Sequence, residues 1–164
     1  MARFYMLLIA LLSTVVGRSV AGETPALSLN LVTFNVRLLT EDDGPNQWEH
    51  RRDLFCQTVR EMDPDVMGVQ EAYASQLKDI QAGIEGYTYV GVGRDDGQEE
   101  GEHAAIYYKK DRFEKSGDGT FWLSDTPDVV ASNTWDAACN RVCTWVQLTD
   151  IISKREFSIY NAHF

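Results

Sequence analysis

The stretch that most constrains this chain is residues 65–71, Asp-Val-Met-Gly-Val-Gln-Glu. It follows the Asp63-Pro64 turn and is mainly apolar, a pattern typical of a short buried strand. The strand ends abruptly at Glu71, where a helical pattern begins. Open α/β sheets bind ligands at the carboxyl ends of their strands, which makes Glu71 a candidate site residue. The alternative is an acidic residue in the first turn of the next helix, where the helix dipole favours it.

Residues 27–36 predict an earlier strand. Leu27, Leu29 and Leu31 alternate with polar residues, and the segment that follows is mostly apolar up to residue 36. Asn35 interrupts that apolar segment near its end. A buried amide needs hydrogen-bond partners, so Asn35 is either a site residue or a strand-end residue whose amide is satisfied by a turn.

Between these two strands the sequence predicts a helix from about Trp48 to Met62. Asn46 is positioned to cap it, with Glu49 as the reciprocal partner of a capping box. A strand–helix–strand unit of this size pairs its two strands in parallel. We therefore expect Asn35 and Glu71 to lie at the same edge of one sheet.

The rest of the chain alternates between strand patterns and loops, with one more helix. A glycine-punctuated, charged loop at residues 93–101 is expected to be exposed. An irregular connection follows at residues 123–136. The remaining predicted elements are a helix at 74–84 and strands at 87–92, 103–109, 112–122, 142–148 and 156–164.

The first 21 residues have the pattern of a secretory signal peptide. A basic residue, Arg3, precedes an apolar run at residues 4–16, and Ser19-Val20-Ala21 offers small residues at a cleavage site. The run is too short for a dependable membrane span, although an uncleaved anchor is the alternative. We expect cleavage after Ala21, export of a single domain at residues 22–164, and no transmembrane segment in the mature chain.

Charge and cysteine content limit the possible partners. The chain of 164 residues carries a formal net charge of -10, which disfavours electrostatic binding to nucleic acid or to anionic membranes. It does not exclude a phosphate substrate, because a bound metal ion can reverse the local field. Three cysteines, Cys56, Cys139 and Cys143, leave at least one thiol free or paired between chains.

Four motifs together resemble the endonuclease/exonuclease/phosphatase family, the metal-dependent phosphoesterases related to pancreatic DNase. They occur in order at residues 33–37, 65–71, 101–108 and 160–164. Residues 119–128 and 141–145 resemble a secreted branch of that family whose substrates are mostly unassigned. The resemblance covers essentially all of the mature chain, and it implies the DNase I-like four-layer α/β sandwich.

The resemblance assigns the metal site to Glu71 and Asn35. Glu71 would hold a divalent cation, magnesium in the first instance, with manganese as the alternative. Magnesium suits a site with few protein carboxylates, because water and substrate phosphate complete its octahedron. Asn35 would also orient the phosphate or the attacking water.

The resemblance also assigns catalytic and substrate-binding residues. His163 would be the phosphate-binding or acid/base histidine, and Glu102 would hold its ring in the useful tautomer. Arg141 would donate to a substrate phosphate, and Asn161 would assist in binding. The reaction implied is in-line attack of water on phosphorus. We expect Asn35, Glu71 and His163 to converge on one pocket.

The sequence departs from the family pattern in two respects. Ala162 stands where the family commonly has threonine, and the family's later motifs, an Asp/Asn pair and a closing Asp-His, are absent after His163. We therefore expect an amino-terminal fragment, roughly the first half of the fold, with one mixed sheet and flanking helices. An exposed apolar sheet face would make it poorly soluble or partner-dependent, and inactive or nearly so.

Two functions from different classes fit these observations. One is a secreted metal-dependent phosphoesterase, and the other is a non-catalytic secreted binding module on the same sheet. Nucleic acid, phospholipid and sugar phosphate all present the same phosphate, so the sequence leaves the substrate open, as it does the choice between monoester and diester. The acidic charge does not favour nucleic acid.

Overall fold

The computed structural model describes residues 26–164. The expected signal peptide at residues 1–21 lies outside the described residues, so its cleavage stays a prediction. Within residues 26–164, no helix has the length and apolar character needed to cross a membrane.

The first sheet contains four strands in the order β1-β2-β4-β3. β1 and β2 are parallel, with Asn35 opposite Gln70, and the other two pairs are antiparallel. The predicted parallel strand–helix–strand unit is therefore confirmed, although the first strand is shorter than expected. The strands are β1 (Leu31–Asn35), β2 (Val66–Gln70), β3 (Tyr87–Val90) and β4 (Ile106–Lys109).

Two helices, α1 (Trp48–Met62) and α2 (Ala74–Gly83), cover one face of this sheet. The bounds predicted for α1 are confirmed, but its predicted capping box is wrong. Asn46 is the last residue of a 3₁₀ turn, Glu41–Asn46, and Gln47 therefore occupies the cap position without a side-chain hydrogen bond. The apolar faces of both helices pack on Met67, Val69 and Tyr107 of the sheet.

The second sheet is antiparallel, with strand order β5-β6-β7. Its strands are β5 (Phe113–Trp122), β6 (Val142–Asp150) and β7 (Glu156–Ala162). Phe113, Val146 and Leu148 from this sheet form one apolar cluster with Val66 and Ile106 from the first. The two sheets thus pack face to face, as in a DNase I-like α/β sandwich.

The expectation of one mixed sheet with an exposed apolar face is wrong. After the turn at Lys110–Arg112, β5 pairs with β6 instead of continuing the first sheet beside β4. The resulting second sheet buries the apolar face that a single sheet would have left open. Exposed apolar side chains persist on one edge strand of each sheet, at Leu31 on β1 and Tyr160 on β7.

Arg112 ties the two sheets together at the end opposite Glu71. Its guanidinium lies 2.6 Å from Asp65 Oδ2, beside β2, and 3.0 Å from Asp150 Oδ1 at the end of β6. Asp150 is buried. Hydrogen bonds from the Ser153 hydroxyl and amide, helped by Arg112, outweigh burial and lower the pKa of Asp150 to about 2.

Asp150→Asn should destabilise the protein in a pH-dependent way. Loss of hydrogen bonds to a charged group is expected to cost about 1.5–3 kcal/mol near neutral pH. Because the folded-state pKa of about 2 lies below the ordinary 3.8, ionised Asp150 stabilises the fold above that range, and the stabilisation is lost as pH falls through it. Urea unfolding at several pH values measures this, with the exposed Asp128→Asn as control. The account is contradicted if the difference in unfolding free energy between Asp150→Asn and the parent protein stays the same as the pH is lowered.

Candidate functional site

Two neighbouring strand ends turn sharply where the candidate site begins. Glu71, directly after β2, has φ of +61°, and Arg37, two residues after β1, has φ of +64°. Residues other than glycine rarely adopt this left-handed backbone conformation, because their Cβ atom would lie too close to the backbone carbonyl oxygen. Such strain concentrates at functional sites. Here it lies where the parallel strands bring Asn35 and Glu71 together.

The Glu71 carboxylate is held from two sides. Asn35 Nδ2 donates to Oε1 at 2.7 Å, and the Leu38 amide donates to Oε2 at 3.0 Å. The Arg37 amide in turn donates to Asn35 Oδ1 at 2.8 Å, which fixes the orientation of the Asn35 amide. Each carboxylate oxygen of Glu71 thus has a fixed position and can still accept a further contact.

His163 completes this group from the second sheet. Its Nε2 atom lies 3.8 Å from Glu71 Oε1. The structure therefore brings together Asn35, Glu71 and His163, as the sequence predicts. Their chemical roles stay predictions.

Glu71 is held in its ionised form. Partial burial would raise its pKa, but the hydrogen bonds from Asn35 and Leu38, with the charges of His163 and Arg37, outweigh that effect. The net result is a pKa below the ordinary value of a glutamate. At neutral pH the site therefore presents a fixed, negatively charged oxygen pair, which is suited to a hard cation.

A small cavity lies beside Glu71, and most of the candidate residues line it. His103 supports its wall, because its amide and Nδ1 both contact the Ala72 carbonyl, at 2.7 and 3.1 Å. This contact places the segment before β4 next to the end of β2. The cavity is lined by Glu71, Glu102, Arg141 and His163, which the sequence singles out, and by Arg94, His103, Ala104, Asn140 and Val142.

Glu102 has a different partner from the one expected. Both of its carboxylate oxygens accept hydrogen bonds from Arg94, at 2.9 and 3.0 Å, and both side chains are largely buried. Within residues 26–164, Glu102 and His163 form no hydrogen bond or ion pair, so the expected contact is absent. Arg94 also corrects the expectation for residues 93–101, because it lies in the cavity wall and not on an open loop.

Asn161 is a buried link between the two sheets. Its Nδ2 donates to the carbonyls of Val69 and Ala105, at 2.8 and 2.9 Å, and its Oδ1 accepts from Gln70 Nε2 at 2.7 Å. With both N–H groups bound to the main chain, this geometry does not support the expected substrate contact by Asn161. The residue instead anchors β7 two positions before His163. Gly68 allows the approach, because a Cβ there would lie 3.0 Å from Asn161 Cγ.

Sequence reasoning missed Arg94, Asn140 and the link between Gln70 and Asn161. One available signal was the spacing of Gly93, Gly97 and Gly101, which closes a tight loop and returns Arg94 to Glu102. Arg94 and Glu102 are only eight positions apart. No comparable local signal pairs Gln70 with Asn161, which are separated by 91 positions.

Comparison with known proteins identifies the family. The sequence profile described as the endonuclease/exonuclease/phosphatase family matches residues 32–151. The chain belongs to this family. The match covers β1 to the end of β6, and it therefore includes Asn35, Glu71, Glu102 and Arg141.

Family members of known structure share the fold. An endonuclease/exonuclease/phosphatase from Bacteroides vulgatus is 39% identical with a TM-score of 0.82, over 83% of this chain and 52% of its own. A mannosyl-6-phosphatase from Bacteroides thetaiotaomicron is 40% identical with a TM-score of 0.80, over 83% and 51%. By sequence alone, the chain is also similar to an uncharacterised protein of Acanthamoeba polyphaga mimivirus, at 28% identity over 83% of this chain and 53% of that protein. The chain spans about half the length of each relative.

Asn161→Ala tests the link that holds His163 against Glu71 in this family member. The change removes three buried hydrogen bonds, those to Val69 O and Ala105 O and that from Gln70 Nε2, so we expect stability to fall by about 2–4 kcal/mol. Urea denaturation measures it. The control is Asn133→Ala, which removes one exposed hydrogen bond to Ala137 O. Equal stability losses in the two variants would show that Asn161 is not an anchor.

Proposed function

We propose that this family member is a secreted, divalent-metal-dependent phosphoesterase that acts at the site formed by Asn35, Glu71 and His163. The observation that carries the proposal is the ionised Glu71 carboxylate, fixed by Asn35 and Leu38 and facing His163 Nε2. Export rests on the signal-peptide pattern of residues 1–21. Catalysis rests on this geometry together with membership of the family.

The donor set fits magnesium, with manganese as the alternative. Within residues 26–164 there is no cluster of three or more His, Cys, Asp or Glu side chains that could enclose an ion. Magnesium is bound through one or two carboxylates and keeps several waters, and Glu71 supplies one such carboxylate. Asn35 would support it as a neighbouring amide. When bound, the ion would polarise the phosphoryl group and promote ionisation of a coordinated water.

The chain's own residues position the ester and move the proton. Asn35 fixes the carboxylate of Glu71, and the Arg37 amide fixes Asn35. Arg141 lines the cavity and would donate to phosphoryl oxygens. His163 Nε2 lies close enough to Glu71 to hold a proton near the reacting phosphate, either for a phosphoryl oxygen or for the leaving group.

For the substrate we propose a sugar phosphomonoester. The relative from Bacteroides thetaiotaomicron that is 40% identical carries the name mannosyl-6-phosphatase. The cavity is small and its lining includes two arginines, which suits one compact phosphate group. The net charge of -10 disfavours a long polyanion such as nucleic acid.

A non-catalytic binding module is the second candidate. One observation favours it: Arg94 engages both carboxylate oxygens of Glu102, so Glu102 is not the partner of His163 that the catalytic assignment expected. Such a module would bind a phosphate ester in the same cavity without hydrolysing it.

Glu71→Gln distinguishes the two candidates. Hydrolysis of 4-nitrophenyl phosphate and of mannose 6-phosphate is measured with and without added magnesium. The phosphoesterase proposal predicts magnesium-dependent turnover that falls by roughly a hundredfold or more in Glu71→Gln, because the change removes the charged ligand.

Glu85→Gln is the matched control for that assay, because it makes the same substitution at an exposed position outside the cavity. It should retain full activity. Phosphate binding without turnover in the parent protein would favour the binding module. Turnover that is insensitive to both magnesium and Glu71 would contradict the proposed site.

A further inference from the structure

Two buried side-chain atoms lack a hydrogen-bond partner within residues 26–164, and both belong to residues that line this cavity. They are Arg94 Nε and His163 Nδ1. A buried polar atom left without a partner costs about 1–3 kcal/mol, so such atoms are rare in folded proteins. Their coincidence in one small cavity points to a ligand that supplies the missing contacts. The missing partner of Arg94 Nε must be a hydrogen-bond acceptor, because a guanidinium N–H can only donate.

Arg94 is held in a fixed orientation before any ligand arrives. Its two terminal nitrogens each donate to one carboxylate oxygen of Glu102, and Nε is the guanidinium nitrogen that is buried without a partner. The main chain is fixed as well, because the Arg94 amide donates to the Glu102 carbonyl at 3.2 Å and its carbonyl accepts from Trp122 Nε1 at 2.7 Å. Gly101 permits this packing, since a Cβ there would lie 3.1 Å from Arg94 Cγ.

We propose that Arg94 is a substrate-binding residue whose Nε–H donates to a phosphoryl oxygen of the ester, while Glu102 acts as a positioning residue for Arg94. The phosphate-ester class rests on the proposed function. Arg141 lines the same cavity, so two arginines are available there to donate to the phosphoryl oxygens. Glu102 then serves to orient a cation and not the ring of His163.

A purely structural ion pair would explain the Arg94–Glu102 contact but not the unpartnered Nε. The variant Arg94→Lys separates the two readings. Lysine keeps the positive charge and can pair with Glu102, but it has no Nε–H in this position. Arg60→Lys is the matched control, because Arg60 is exposed on α1 and outside the cavity lining, where it donates to the Gly83 carbonyl.

The experiment measures binding of inorganic phosphate to the whole chain by calorimetry and by ¹H–¹⁵N spectra of the arginine Nε–H groups. We expect Arg94→Lys to weaken phosphate binding at least about tenfold, the value of one charge-assisted hydrogen bond, and Arg60→Lys to leave it unchanged. The Nε–H signal that disappears in Arg94→Lys should move downfield when phosphate is added to the parent protein. A structural role alone would not shift that signal.

A double variant, Arg94→Met with Glu102→Met, removes the pair without leaving a buried charge and should show the same loss of affinity. The inference is overturned if either variant binds phosphate as tightly as the parent, if the Nε–H signal does not respond, or if the parent does not bind phosphate. The proposed function fails separately, when magnesium-dependent turnover is insensitive to Glu71→Gln. Loss of affinity in Arg94→Lys without any turnover would support Arg94 as a binding residue while counting against catalysis.

Discussion

The amide of Asn161 is the contact on which the arrangement of this site depends. It bonds simultaneously to two carbonyls and to Gln70 Nε2, and through them it fixes β7 of the second sheet against β2 and the segment before β4 of the first. His163 lies two residues further along, and Glu71 directly follows Gln70. A shift of one sheet over the other would separate the histidine from the carboxylate. The buried amide therefore sets the geometry on which any chemistry at Glu71 relies.

Charge is distributed unevenly in the molecule. The chain as a whole is acidic, with a formal net charge of -10, yet the cavity beside Glu71 has Arg94, Arg141 and His163 in its lining. Glu102 offsets the charge of Arg94 and orients its guanidinium. Glu71 stays ionised because its hydrogen bonds favour the charged form more than burial opposes it. An acidic exterior disfavours an extended polyanion, while two arginine side chains in a small cavity can donate to one compact phosphate.

Local sequence patterns were sufficient for the parts of the structure that depend on neighbouring residues. The strand at residues 66–70, the helix Trp48–Met62 and their parallel unit follow from periodicity and chain connectivity, and they already place Asn35 beside Glu71. His163 could be added only through the family motif, because its distance from Glu71 is set by the packing of two sheets. The family itself and its DNase I-like fold were recognised from four short motifs, and the profile match bears this out.

Apart from the capping box at Asn46, which is a local error, the incorrect expectations share a physical cause. The choice of β6 over β4 as the partner of β5 is a competition between strand pairings, and side-chain patterns alone do not decide it. Glu102 was assigned to His163 because the pairing with Arg94 depends on a loop conformation that glycines permit but do not specify. Asn161 was expected to contact substrate, because the sequence does not reveal that its acceptors are main-chain carbonyls distant along the chain. Each of these errors concerns a contact that forms only when the chain has folded.

The central claim of the proposal is that the Glu71 carboxylate, fixed by Asn35 and next to His163, would hold a divalent cation. Manganese is paramagnetic and broadens the NMR signals of nuclei near its binding site, so titrating it into the isotope-labelled protein tests the claim directly. The account predicts early, selective broadening of the Leu38 amide, the Asn35 side-chain amide and the His163 ring, and loss of this effect in Glu71→Gln. Broadening centred elsewhere, for example on the acidic pair Asp95 and Asp96, or unchanged by Glu71→Gln, would contradict it.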